Sequence, residues 1–104
     1  MKIIEKLADM IEEELDDAEK YAMCAHKHRD MHPELANAFH HLAGEEIKHA
    51  DMLHAEVVRL IEEYRATHGA PPANMLAVWE YVHKKHVEKA TRIKALIKEY
   101  HEGA

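Results

Sequence analysis

Apolar residues recur every three or four positions along most of the chain, and two short breaks interrupt this pattern. The breaks contain Pro33 in one case and Gly69 with two prolines in the other. Proline suits the first turn of a helix, and glycine suits the position just past its last turn. The pattern therefore predicts an all-α chain with helices over about residues 3–29, 33–67 and 73–101.

Each predicted helix has one packing seam, and ionisable side chains interrupt all three seams. An unpaired charge costs several kcal/mol to bury, so something must compensate those on the first two helices. The seam positions are Ile4, Leu7, Ile11, Glu14, Ala18, Tyr21 and Ala25 on the first helix, Leu35, Phe39, Leu42, Glu46, His49, Leu53, Val57, Leu60 and Tyr64 on the second, and Leu76, Trp79, His83, His86, Ala90, Ile93, Ile97 and Tyr100 on the third.

The short first connection makes the first two helices an antiparallel hairpin. If the hairpin turns near residue 31, Glu14 faces the stretch between Glu46 and His49. Tyr21 then lies about 10 Å from Glu14 along the helix, one layer nearer the turn. We therefore expect two carboxylates and one imidazole to meet inside the hairpin, with a phenol close by.

The third helix does not complete this group in the same chain. If the second connection turns near residue 70, residues 91–94 lie level with Glu46 and His49. Glu80 and His83 then lie roughly 10 to 16 Å too far along the helix. The remaining ligands of a larger site must come from elsewhere.

Composition adds candidate metal ligands, since 104 residues include 11 histidines and 20 acidic residues. The apolar fraction of 47% fits one modest core, so we expect a single domain over residues 1–104. The Glu46-x-x-His49 spacing alone is weak, because chance predicts about two such pairs here and Glu80 to His83 is the second. Position on a packing seam, rather than the motif, indicates a metal site.

Three ligands from one hairpin are half of a two-metal site of the kind found in four-helix bundles. A two-fold copy of the hairpin supplies the other half, which predicts a homodimer or a larger homo-oligomer. Four carboxylates then balance two divalent cations at each interface. Oxygen ligands with some imidazole suit iron or manganese, and zinc accepts the same atoms.

A secondary metal site is a further hypothesis for the third helix. The turn near residue 70 sets His86 opposite His54, with Glu80, His83 and Glu56 nearby. The competing interpretation is a set of surface histidines on a long amphipathic helix.

The remaining sequence features argue against a nucleic-acid-binding protein, a membrane protein and a disulfide-bonded protein. The net charge of −6, with both signs interleaved, gives no basic stripe for nucleic acid. No apolar run approaches the ~18 residues of a membrane span, and no signal peptide is recognisable, so we expect a cytoplasmic protein without a membrane partner. The single cysteine, Cys24, rules out an intrachain disulfide.

These motifs resemble those of the ferritin and rubrerythrin superfamily. Its half-site has a glutamate, a tyrosine seven residues later, and a Glu-x-x-His about thirty residues further on. Glu14 with Tyr21, and Glu46 with His49, are similar to that pattern over about residues 4–64. The layout is closest to the encapsulated ferritins, which build their centre across a two-fold interface, although the third helix is longer than their tail.

The resemblance implies a diiron centre that oxidises ferrous iron with dioxygen or peroxide. By the same resemblance, Glu46 bridges two irons, Glu14 and His49 are terminal ligands, and Tyr21 is a hydrogen-bonding or redox-protective phenol. Two rival functions stay open. One is a metal-stabilised helical interaction module without redox activity, and the other is a metal-free bundle whose acidic seam tunes the oligomeric state.

Overall fold

The computed structural model describes residues 1–102, which form three long helices with no strand among them. The prediction of an all-α, three-helix chain is confirmed, and every predicted helix end lies within one residue of the observed one. None of the helices in this range has an apolar stretch that could traverse a bilayer. The helices are α1 (Lys2–His28), α2 (Pro33–His68) and α3 (Ala73–Glu102).

The helix ends follow from the two breaks in the sequence. Pro33 lies in the first turn of α2. Backbone N–H groups in the first turn have no acceptor within the helix, so the lack of an N–H in proline costs nothing there. Gly69 ends α2 with a φ of 79°, and its N–H donates to the carbonyl of Arg65 over 3.1 Å. Because this φ is unfavourable for a residue with a side chain, glycine is the suitable residue there.

The third helix lies along one side of the α1–α2 hairpin, parallel to α1 and antiparallel to α2, and packs more extensively against α1. Ion pairs join α1 and α3 along this contact. Lys89 contacts Asp16 and lies 2.8 Å from Glu12, and Arg92 lies 3.0 Å from Glu19. Ion pairs near the surface contribute little stability one at a time, although Lys89 is only 16% exposed, and together these pairs favour one register of α3 on α1.

The core lies where the three helices meet, around the fully buried Leu15, Val57 and Ile93. Small residues, including Ala18 and Ala43, lie between the large ones and let the helix backbones approach closely. The buried stripe is rotated from the predicted seams. Leu15 is buried although the seam omitted it, whereas Leu35 and Leu42 are 46% and 40% exposed.

The last turns of α3 are held to the hairpin by side chains that donate to main-chain carbonyls, and the carbonyl of Tyr100 is one of the last four, which have no partner within the helix. These bonds run from His26 to Leu96 (2.7 Å), from His40 to Ile97 (3.0 Å) and from Arg29 to Tyr100 (3.1 Å). The Tyr100 hydroxyl also donates to Asn37 Oδ1 over 2.6 Å. The carboxyl end of α3 is therefore well fixed.

The molecule is a rod of 56 × 18 × 18 Å. Its radius of gyration of 16.6 Å exceeds the roughly 13 Å of a compact domain of this length. The accessible area of 6956 Å² also exceeds the roughly 6000 Å² usual for this mass. The side of the hairpin that α3 does not cover, called the open face below, exposes four large apolar residues, which are Ile3, Met10, Leu35 and Leu42.

Candidate metal centre

The hairpin brings Glu14, Glu46 and His49 together on the open face. One ligand atom from each residue lies within 4.8 Å of the others, and within residues 1–102 no other trio of metal-ligating side chains meets that distance. Glu46 and His49 share a side of α2 because they are three residues apart. Glu14 lies at the matching level on α1, as the turn position predicted.

The imidazole lies close to both carboxylates. His49 Nδ1 is 3.4 Å from Glu14 Oε2 and 3.5 Å from Glu46 Oε2. The side chain of Glu46 is 17% exposed, that of Glu14 is 27% exposed, and that of His49 is 50% exposed. The group is thus covered by the hairpin on one side and open to solvent on the other.

One carboxylate oxygen of this group has no hydrogen-bond partner. Glu14 Oε2 is buried and accepts no hydrogen bond within the described part of the chain, although His49 Nδ1 lies 3.4 Å away. A buried acceptor without a partner is costly, and an ionised one is more so. A cation at this position would satisfy the oxygen, so the donor set fits a metal ion.

The two carboxyl groups also disturb each other's ionisation. Contact with the Glu14 carboxyl raises the pKa of Glu46, burial raises it further, and His49 partly offsets both effects. Two acids that compete for one proton favour a positive ion between them. The electrostatics of the site therefore match the chemistry of its ligands.

Tyr21 lies in the next layer toward the turn, where it is half-buried. Its ring stacks on Phe39 at a centroid distance of 6.1 Å, and His28 stacks on the other end of this aromatic row at the same distance from Phe39. None of the residues described offers its hydroxyl a hydrogen bond. The hydrogen-bonding capacity of the phenol is therefore unused among these residues.

The histidines predicted as a secondary site are only partly brought together. His54 stacks on His83 at 4.6 Å, whereas the turn position had set His86 opposite His54. The partner of His54 differs by one helical turn from the predicted one. Which residue of α3 lies opposite a given residue of α2 depends on the path of the connecting residues 69–72. Glu80 is exposed and does not join the histidines.

The sequence pattern did not identify Glu12 as a candidate functional residue. Its Oε2 lies 3.3 Å from Nε2 of the buried His86. In the sequence, Glu12 is one of three consecutive acids and looks like part of a solvated face. Only the position of α3 shows that it has a histidine partner.

Comparisons with known proteins agree with this architecture. No curated protein and no solved structure matches the chain. The family model of rubrerythrin matches residues 5–102, which covers α3 as well as the hairpin. The chain therefore belongs to the rubrerythrin family of ferritin-like diiron proteins.

Proposed function

We propose that this protein oxidises ferrous iron with dioxygen or peroxide at a centre built from Glu14, Glu46 and His49 of two chains. The main support is the meeting of two carboxylates and one imidazole within 4.8 Å, around a buried carboxylate oxygen that accepts no hydrogen bond. Membership of the rubrerythrin family supports iron as the ion.

The second chain is inferred from charge and exposure. One hairpin offers two carboxylates, whose charge balances a single divalent cation, while two hairpins related by a two-fold axis balance two. His49 is half exposed on the open face, so a second chain can reach the same ions. The exposed Met10 and Leu42 on that face suit an interface between hairpins.

Each side chain has a role in this proposal that follows from its place. Glu46 is the least exposed ligand and contacts both other ligands, so it would be the carboxylate shared by the two ions. Glu14 and His49 would each hold one ion. Tyr21 donates a hydrogen bond toward the oxidant or a ligand oxygen, and its stacking on Phe39 holds its ring.

Iron is the substrate of the reaction, and each ferrous ion gives one electron to the oxidant. Three protein ligands leave coordination positions open, as catalytic metal sites require. Manganese and zinc accept the same ligand atoms, but zinc has no accessible redox change. Zinc therefore serves as an inert competitor for the same positions.

The test is an oxygen-pulse experiment. Ferrous iron is added anaerobically to metal-free protein, oxygen is admitted, and the ferric-oxo absorbance is followed. We expect oxidation faster than in buffer, and we expect the double variant Glu46→Ala, His49→Ala to fall to the buffer rate. Zinc added before the iron should also slow the reaction.

The matched control is the double variant His41→Ala, Glu45→Ala. These residues form a histidine–carboxylate contact of 3.7 Å on the same helix, and neither is one of the three ligands. The control should oxidise iron as the wild type does. If the wild type binds ferrous iron but oxidises it no faster than buffer, the oxidase proposal fails, and the metal-stabilised interaction module takes its place.

A further inference from the structure

A second group of histidines lies under α3, on the other side of the core from Glu14. His54, His83 and His86 line a pocket of about 210 Å³ between α2 and α3. Ile11 and Leu15 form its floor and separate it from the open face. This pocket is distinct from the candidate metal centre.

Two ring nitrogens of this group are buried without a partner. Nδ1 of His83 and Nδ1 of His86 have no hydrogen bond within residues 1–102. His86 is only 6% exposed, so bulk water does not compensate its nitrogen. Buried polar atoms are nearly always paired, so two such atoms beside one pocket can serve a ligand that binds there.

Glu12 determines which nitrogen of His86 is available. Its carboxylate lies 3.3 Å from His86 Nε2, and a carboxylate at that distance favours the proton on Nε2. The unpartnered Nδ1 then has the lone pair. An imidazole held by a carboxylate through its other nitrogen is the usual arrangement of a metal-binding histidine.

The charge state of the histidines agrees with this arrangement. Burial lowers the pKa of His86, although Glu12 partly opposes the effect. Burial also lowers the pKa of His54, and the nearby His83 adds to it. Both rings are therefore neutral at neutral pH, which is the form that binds metal ions.

We propose that His54, His83 and His86 form a second metal site, specific for a divalent ion that prefers imidazole ligands, such as zinc. Three histidines with one open position suit zinc better than magnesium or calcium, which prefer oxygen. His83 and His86 are three residues apart on α3 and share one side of that helix. The three side chains do not bring one nitrogen each within 4.8 Å of the others. Metal binding at this site therefore requires rotation of the rings of His54 and His83, which stack on each other at 4.6 Å.

The test uses chains that already lack Glu46 and His49 through substitution by alanine, so the first site cannot contribute. Cobalt(II) is added and its visible absorbance is followed, and zinc is then used to displace it. We expect one ion per chain, with zinc bound more tightly than cobalt. Adding His83→Ala and His86→Ala should abolish the signal, whereas adding His41→Ala and His68→Ala, two exposed histidines, should leave it unchanged.

A second comparison avoids any change in the buried rings. Glu12→Gln should weaken zinc binding by about 10- to 100-fold, because the carboxylate behind His86 is lost. Glu19→Gln is its control, since Glu19 pairs with Arg92 across the same two helices. Equal zinc affinities of these two variants, or cobalt binding that persists without His83 and His86, would overturn the proposal. Neither result would affect the oxidase proposal, because the first site is absent throughout.

Discussion

Glu12 and Glu14 point to opposite sides of α1 and lie beside different histidines. They are two residues apart, which separates them by about 200° around the helix. Glu14 lies 3.4 Å from His49 on the open face, and Glu12 lies 3.3 Å from His86 under α3. One short acidic stretch of α1 thus contributes to both the candidate metal centre and the histidine group under α3.

Replacing one acid of the candidate centre should stabilise the metal-free protein. The pKa of Glu46 is raised by Glu14, so above the usual pKa of 4.5 the two ionised groups destabilise the folded state. Glu46→Gln should therefore raise the melting temperature at pH 7 in EDTA by a few degrees. The same variant should lose the stabilisation that Mn²⁺ gives the wild type.

The control for this experiment is Glu45→Gln, whose carboxylate lies 3.4 Å from Lys48 on the solvent side of α2. It should gain no stability in EDTA and should keep its response to Mn²⁺. A melting temperature of Glu46→Gln below that of the wild type in EDTA would contradict the electrostatic account of the site.

A lysine on the open face should disrupt a dimer. Met10 is 37% exposed on this face, whereas Met23 is 59% exposed on another side of α1. We expect Met10→Lys to weaken self-association at least about tenfold, the equivalent of about 1.4 kcal/mol. The control is Met23→Lys, and sedimentation of both variants over a range of concentrations measures their self-association. Equal weakening of self-association by Met23→Lys would argue against an interface on the open face.

The ion pairs of Lys89 should stabilise the contact between α1 and α3. Burial lowers the pKa of Lys89, but hydrogen bonds to Asp16 and Glu12 outweigh it and raise the pKa above 10.5. A raised lysine pKa stabilises the fold below pH 10.5, and the benefit is lost as pH rises through the raised value. Lys89→Gln should therefore cost about 1 kcal/mol at pH 7 and much less above the pKa.

Urea unfolding of Lys89→Gln over this pH range measures the effect. Lys85→Gln is the control, because Lys85 lies over the exposed ring of Tyr81 and pairs with neither acid. The cost of Lys89→Gln should also shrink at high salt, since exposed charges are screened. A cost that does not change with pH or salt would show that Lys89 acts through its packing instead.

The hydroxyl of Tyr100 should contribute measurably to stability. It donates to Asn37 over 2.6 Å, and the ring is buried against α2. Tyr100→Phe should cost about 1 kcal/mol in urea unfolding, the usual net value of one such bond. Tyr81→Phe, at a position 63% exposed, should cost almost nothing, and equal losses would mean that the bond has no specific effect.

The helices could be predicted closely because their signals are local. Apolar spacing, Pro33 and Gly69 act within a few residues, and each predicted end lies within one residue of the observed end. The meeting of Glu14 with Glu46 and His49 was also predictable. When a short turn joins two straight helices, it largely determines which residues of one helix lie opposite which residues of the other.

The position of α3 could not be predicted in the same way. Leu35 and Leu42 have the spacing of core residues, but α3 covers the other side of the hairpin and leaves them exposed. The choice of side depends on packing between distant residues, such as Ile93 with Leu15, and on no local motif. For the same reason, the pairing of His54 with His83 differed by one turn from the expected one.

The two negative charges of Glu14 and Glu46 would make metal binding depend on protein concentration. In the proposed dimer, the two carboxylates of one chain balance one divalent ion, so loading of a second ion would be coupled to the arrival of a second chain. Iron affinity should then depend on protein concentration, with dilution releasing ions and added metal drawing chains together. In the cell, the amount of this protein present would determine not only how many centres exist but whether each is complete.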